Sequence, residues 1–369
     1  MTKINFNSSL PIVILSVGLL NHVMIIPLVL DVAGRDAWIF AVLTGVLSIG
    51  WAFLLYWILK KKKTEHLFPW LANRMGKRFT KVICFVLSVY LITIILTTAK
   101  DMVDWVRTTS LPETPSIAII IPFACICAVL AYSNLKTIAI NSAILLPIVI
   151  VLGIFVATGN IPEKNYDFLF PLFEQGYFFG IKSMYFIANG YLELIIVILF
   201  QHHLSNGEAI KLKTVLGMMG IITVLILGPL TGAIIEFGPI LSSEMRYPAY
   251  EQWRLLTIGK YIAHTDFFSI YQWIAGAFIR VSMAMFLLPD LLRVKTANMK
   301  KGILLVLAIM MIIINVIPLS DIHFYTFLKN YYFLGTFFLL IILILLFTVA
   351  AKMKPKRKVV PDETIQKRP

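Results

Sequence analysis

The sequence predicts an all-α polytopic membrane protein of about ten transmembrane helices. They are laid out as two inverted five-helix repeats in which helices 1 and 6 are interrupted. Three observations carry this. Of 369 residues, 59% are hydrophobic and 14% charged, against about 25% charged in an average soluble domain, and the mean hydropathy is +0.86. That surplus cannot be hidden in one water-soluble core, so lipid is the solvent for most side chains. Apolar runs of spanning length recur along the chain, and two of them, in corresponding places, carry polar residues and glycine at mid-depth.

A span needs about 20 mostly apolar residues. That ruler gives segments near 10–30, 37–59, 81–102, 116–133, 137–157, 180–200, 214–235, 267–289, 302–319 and 331–351. The first run, Leu10 to Leu30, exceeds the roughly 7–15 apolar residues of a cleavable signal, so it is read as a helix that stays. Spans four and five are joined only by the polar turn Ser133-Asn134-Leu135-Lys136. The division that follows is a membrane domain over 1–351, with repeat one about 10–157 and repeat two about 180–351, then a basic tail at 352–369.

Charge sets the orientation. The net charge is +14, but the basic residues sit in short runs between apolar segments, which is the positive-inside pattern and not a nucleic-acid surface. With the N-terminus cytoplasmic, 23 of the 33 Lys and Arg residues fall on the cytoplasmic side and nine outside; Arg280 lies within a span. Both termini are therefore expected in the cytoplasm, with the tail against the anionic inner leaflet. Two long outer connections, 158–179 and 236–266, exceed ordinary loop length. The second includes a short helix expected at Glu251-Gln252-Trp253-Arg254-Leu255-Leu256.

Enzyme chemistry finds no support. The chain has no GxxxxGK[ST], HExxH or GxSxG pattern, and so no catalytic residues, metal or cofactor are expected. His202-His203 reads as a polar pair ending the sixth span, because adjacent helical residues point about 100° apart. Cys84, Cys125 and Cys127 lie in apolar stretches without a CxxC pair and read as small buried hydrophobes.

Polar groups inside the membrane carry more information, since each must face a partner or a cavity. In the first span Gly18, Asn21 and His22 lie near the midplane, with Pro27 following. The segment is either interrupted or an intact helix with both polar side chains bonded to neighbours. In the sixth span Ala188-Asn189-Gly190-Tyr191 precedes Glu193. Asn-Gly is a turn dipeptide, which favours a break, and a plain helix with Glu193 in an ion pair is the alternative. In the eighth span Arg280 stays charged at any accessible pH. Glu193 is its natural partner, as a structural salt bridge or as half of a clamp for a ligand carboxylate. Spans 1 and 6 open two five-span halves that enter the membrane from opposite sides. Matched breaks in inverted halves point to a transporter-type midplane site, suited to a zwitterion such as an amino acid.

The tracts Gly34-Arg35-Asp36-Ala37-Trp38, Asn189 through Glu193, Tyr247 through Arg254, Asp266-Phe267-Phe268 and Trp273 through Arg280 together resemble the B subunit of bacterial spore germination receptors. That group is a branch of the amino acid–polyamine–organocation superfamily. The resemblance implies an amino-acid-permease-like fold and a small-molecule nutrient germinant as ligand. It also implies assembly with a large A subunit and a lipoprotein C subunit in the cell membrane or spore inner membrane. Relatives bind substrate at spans 1 and 6, which points by position to Gly18, Asn21 and His22 and to Ala188, Asn189, Gly190 and Tyr191, with Glu193 and Arg280 as a coupling or ion pair. The leading expectation is a subunit that binds a germinant and triggers germination. The alternative is an amino-acid permease, proton-coupled through Glu193.

Overall fold

The computed structural model describes residues 3–174, 176–205, 210–257 and 265–356. The expected tail beyond residue 356 and the outer-loop segment 258–264 lie outside the described residues. The described chain is helical without named strands; Ile4 and Leu204 form one isolated parallel bridge.

Helix α1 (Phe6–Leu19) runs through a π-helical segment (Leu20–Ile25) into α2 (Ile26–Ala33). Gly34, with φ +52°, then turns the chain through a 3-10 segment (Gly34–Asp36) into α3 (Ala37–Lys62). A left-handed backbone is available to glycine at little cost, which is why the turn sits there. Next come α4 (Leu67–Met75), α5 (Lys77–Thr109), α6 (Ser116–Tyr132) and α7 (Leu135–Gly159). The second half holds α8 (Tyr177–Leu192), a 3-10 turn (Glu193–Ile195), α9 (Ile196–Phe200), α10 (Leu212–Phe237) and α11 (Pro239–Glu244). It ends with α12 (Pro248–Leu255), α13 (Phe267–Leu291), α14 (Ala297–Val316), α15 (Asp321–Phe327), a π segment (Leu328–Tyr332) and α16 (Phe333–Lys352). The short helix expected at 251–256 is α12, starting three residues earlier with proline at its first turn.

Among the described residues, eight helical segments are long and apolar enough to cross a membrane. One of them spans 57 residues, Phe6–Lys62, and contains both α1/α2 and α3; α6, at 17 residues, is an apolar helix outside the eight. These helices make the chain a multi-pass membrane protein in character. Apolar side chains cover their outward faces: Leu47 on α3, Ile144 and Val151 on α7 and Leu305 on α14 are exposed, as lipid-facing residues must be.

α13 lies at the centre, packed against α1, α5, α6 and α7, whereas α3 packs on α10 and α8, α14 on α6 and α5, and α16 and α2 on α8. The burial agrees: 83% of the α13 span is covered by protein, against 22% of α7. Small residues let α13 take that place, with Ala275, Gly276, Ala277 and Ala284 all buried along it.

Helices 1 and 6 are each interrupted, but by a change of helical pitch and not by a stretch of unwound backbone. Helix 1 widens by a π-turn at Leu20–Ile25 without losing its helical course. Asn189 and Gly190 lie within regular α-helix, and the only irregularity in helix 6 at this depth is the tighter turn starting at Glu193. The turn propensity of Asn-Gly is overridden because the Asn189 amide donates to the carbonyls of Tyr185, one turn back, and Phe333 on α16. Cys84 and Cys127 are buried as expected, but Cys125 is exposed, on the outer side of α6 where a small apolar thiol meets lipid at little cost.

Candidate functional site

Three groups of polar side chains converge in the middle of the bundle, and the residues singled out in the sequence divide among them. The first group centres on Arg280 of α13, which is 1% exposed. Its guanidinium grips Glu193 with two N–H groups, Nη2 to Oε2 at 2.9 Å and Nη1 to Oε1. Nη1 also donates to the Ser16 carbonyl at 3.0 Å, and Nε donates to Thr98 Oγ1 at 3.0 Å. Four of the five N–H donors are thereby taken, and one side chain ties α13 to α1, α5 and the turn after α8. Tyr90 and Tyr332 face the same pair.

The local backbone explains why Ser16 is available. Leu20, at the start of the π segment, donates to Val17, three residues back, and the Ser16 carbonyl one position earlier is met by the guanidinium. The π-turn and the Arg280 contact are two sides of one arrangement. Of the two sequence readings of Arg280, the ion pair is the one formed. Little of the guanidinium is left to receive a ligand carboxylate.

The second group is the contact between helices 1 and 6. Asn21 is fully buried, and its Nδ2 donates to the Val17 carbonyl at 2.8 Å. Its Oδ1 has no hydrogen-bond partner among the described residues. That oxygen presses on Gly190: a Cβ built there would stand 1.8 Å from it. Glycine is therefore needed at 190 for close approach and not for a turn. Elsewhere on helix 1, Gly18 faces Leu225 of α10, where a Cβ would stand 3.0 Å from that side chain; the His22 ring faces the Leu225 carbonyl.

The third group points away from this contact. Asn189 donates to Phe333 at 2.9 Å and accepts from Thr336 at 2.8 Å, joining α8 to α16. Tyr191 turns toward α3 and α10, its hydroxyl 2.7 Å from Thr223 Oγ1 and its carbonyl accepting from Trp51 at 2.8 Å. Ala188 is half-buried between them. The structure brings together Asn21 with Gly190 and Glu193 with Arg280. It does not gather all the predicted residues around one open cavity; at the crossing of helices 1 and 6, Asn21 packs directly on Gly190.

Sequence reasoning missed a network at the far end of α5. Arg246, in the connection before α12, donates to Asp101 at 2.7 Å and to both oxygens of Asp321 at 3.2 Å, and stacks on Tyr247 and Tyr325. Beside it Lys100 pairs with Asp104 at 2.5 Å and donates to the Leu319 carbonyl. Lys329 pairs with Asp31 at 2.5 Å, and Tyr325 donates to the same carboxylate. The spacing Lys100-Asp101-x-x-Asp104 was the available signal, since charges at i and i+4 share a helix face.

The sequence profile of the family described as spore germination protein matches residues 8–324. Spore germination protein XB of Bacillus anthracis is 38% identical over 357 residues, which is 96% of this chain and 99% of that protein. YfkT of Bacillus subtilis (strain 168), provisionally named a spore germination protein, is 24% identical over 275 residues, 74% of each chain.

Proposed function

The chain belongs to the spore germination protein family, and we propose that it is the multi-pass membrane subunit through which a small polar germinant is sensed. The observation that carries this is the buried, unpartnered Asn21 Oδ1 at the crossing of helices 1 and 6. A buried acceptor without a donor costs roughly 1–3 kcal/mol. A ligand supplying an ammonium or amide N–H there would recover that energy. In this structure Gly190 and Asn21 are in contact, so such a ligand enters only when α8 and the π segment part. Binding then favours the parted state, which is how a ligand shifts a two-state equilibrium. Asn21 and Gly190 form the centre of the proposed site, with Gly18, His22, Ala188, Asn189 and Tyr191 around it. Glu193–Arg280 is the fixed pair against which the helices move. A small amino acid, whose ammonium fits the free oxygen, is the ligand class.

The packing supports an inverted-repeat scaffold. Counting α1/α2 and α3 as two spans and including α6 turns the eight long segments into ten. Numbered so, helix 1 packs on 6, 2 on 7, 3 on 8 and 4 on 9, and helix 1 packs on 5 as 6 packs on 10. Four helices of one half meeting their counterparts in the other is the pattern that a pseudo-two-fold axis in the membrane plane generates. The 23-to-9 distribution of basic residues favours both termini in the cytoplasm, and A and C germination receptor subunits are the partners on this reading.

The same scaffold favours one second reading, an amino-acid permease. Proton carriage by Glu193 would require breaking its bidentate bond to Arg280, so coupling through that carboxylate is the less economical form. The two readings separate in proteoliposomes. Saturable amino-acid binding without net uptake supports the sensor; concentrative uptake by the unaltered chain supports the permease.

A further inference from the structure

At the end of the bundle where α3, α9 and α13 finish, four ligand-type side chains meet. His66 follows α3 and caps α4, its Nδ1 accepting from the Phe68 N–H at 3.2 Å; its Nε2 is 3.1 Å from the Asp290 carbonyl. His202 Nε2 lies 3.0 Å from Asp290 Oδ2, and His203 Nε2 lies 3.1 Å from Oδ1. The His66 and His202 rings are 4.5 Å apart, and those of His202 and His203 4.1 Å. His202 and His203 lie in a 3-10 turn, Gln201–His203, at the end of helix 6, and both rings reach the same Asp290 carboxylate.

These close approaches are not finished hydrogen bonds. Neither ring nitrogen of His202, nor Nε2 of His203, has a hydrogen-bond partner of acceptable geometry among the described residues, although both side chains are more than nine-tenths buried. Imidazole nitrogens and carboxylate oxygens therefore crowd one spot in a geometry that is poorly aligned for hydrogen bonding. Donor atoms of His66, His202 and Asp290 all lie within 4.8 Å of one another. A tetrahedral ion with bonds of about 2.0–2.1 Å holds neighbouring donors about 3.3 Å apart; the His202–Asp290 separation of 3.0 Å is within a few tenths of that, and the His66 donor lies within 4.8 Å of both.

We propose that His66, His202 and Asp290 form a binding site for a divalent transition-metal ion of the Zn2+ type, with His203 beside it as a further donor or as the group that orients Asp290. Imidazoles with one carboxylate suit zinc and its neighbours, whereas all-oxygen sets suit calcium and magnesium. Loading costs His66 one of its two hydrogen bonds, whichever nitrogen it offers. The buried Lys62, whose Nζ donates to the Glu65 carbonyl at 2.6 Å, and Lys300, which also feels the Asp290 charge, are cations such an ion has to coexist with. A bound ion would fasten the ends of α3, α9 and α13 together.

The test uses the full chain, purified in detergent without a polyhistidine tag and stripped by chelator, then titrated with Zn2+ or Co2+. One equivalent per chain, a visible absorption band for the Co2+ form and a rise in unfolding temperature with Zn2+ are expected. His66→Gln and His202→Gln should each weaken binding at least about tenfold. Absence of stoichiometric uptake by the unaltered chain overturns the proposal whatever the variants do, and so does undiminished uptake by a folded double variant.

Discussion

Glu193 and Arg280, 87 residues apart in sequence, meet as a bidentate pair that is almost wholly shielded from solvent. Because Arg280 also holds the Ser16 carbonyl and Thr98, the pair joins four helices at one point. Removing one partner of a buried pair strands the other, at a cost of about 3–5 kcal/mol, whereas replacing both by apolar residues is often neutral. Arg280→Ala and Glu193→Gln should each lower protein abundance and the unfolding temperature in detergent. The double variant Glu193→Leu/Arg280→Met should recover much of that loss. A double variant as unstable as the sum of the two singles would show that the pair is not one energetic unit.

Asn189 gives a second prediction. Its amide joins α8 to α16 through Phe333 and Thr336, so its first task is structural. Thr336→Val leaves Asn189 Oδ1 without its donor and should cost about 1–3 kcal/mol. Thermal unfolding measures this, and ligand affinity of the folded fraction should stay within about twofold, since 1.4 kcal/mol is needed for a tenfold change. A large affinity change with unaltered stability would move Asn189 into direct ligand contact.

Arg246 supports a third. It bridges Asp101, which is 1% exposed, and Asp321, while stacking on two tyrosines. Arg246→Gln leaves the Asp101 carboxylate buried and unpaired, and a stability loss of about 3 kcal/mol follows. Arg246→Lys should restore only part of it, because a single ammonium cannot serve two carboxylates and two ring faces as the planar fork does. Unfolding curves of the three proteins decide; full restoration by lysine would mean that charge alone matters there.

Much of the fold was legible because its signals are local. Apolar runs of spanning length and the short helix before the eighth span each act through their own few residues. The pairing of Glu193 with Arg280 was readable from cost alone, since a buried guanidinium demands a carboxylate. What misled was Asn189-Gly190. Its turn propensity is a local preference, and it lost to contacts made by residues more than 140 positions away on α16. Gly190 was singled out as part of a break, whereas its role in the structure, admitting the Asn21 side chain, depends on a helix crossing that no local pattern encodes. The Arg246 network and the gathering of His66, His202, His203 and Asp290 were hidden for the same reason, being built from chain ends that meet only after folding.

The most direct test of the sensing account is equilibrium binding of a panel of small amino acids to the purified chain, compared with Asn21→Ala and Gly190→Leu. The account predicts saturable binding by the unaltered protein, binding at least about tenfold weaker in Asn21→Ala and none in Gly190→Leu, whose side chain fills the place the ligand needs. Stability checked on the same samples separates lost binding from lost folding. Undiminished saturable binding in folded Asn21→Ala and Gly190→Leu would contradict it, and would move the ligand away from the crossing of helices 1 and 6.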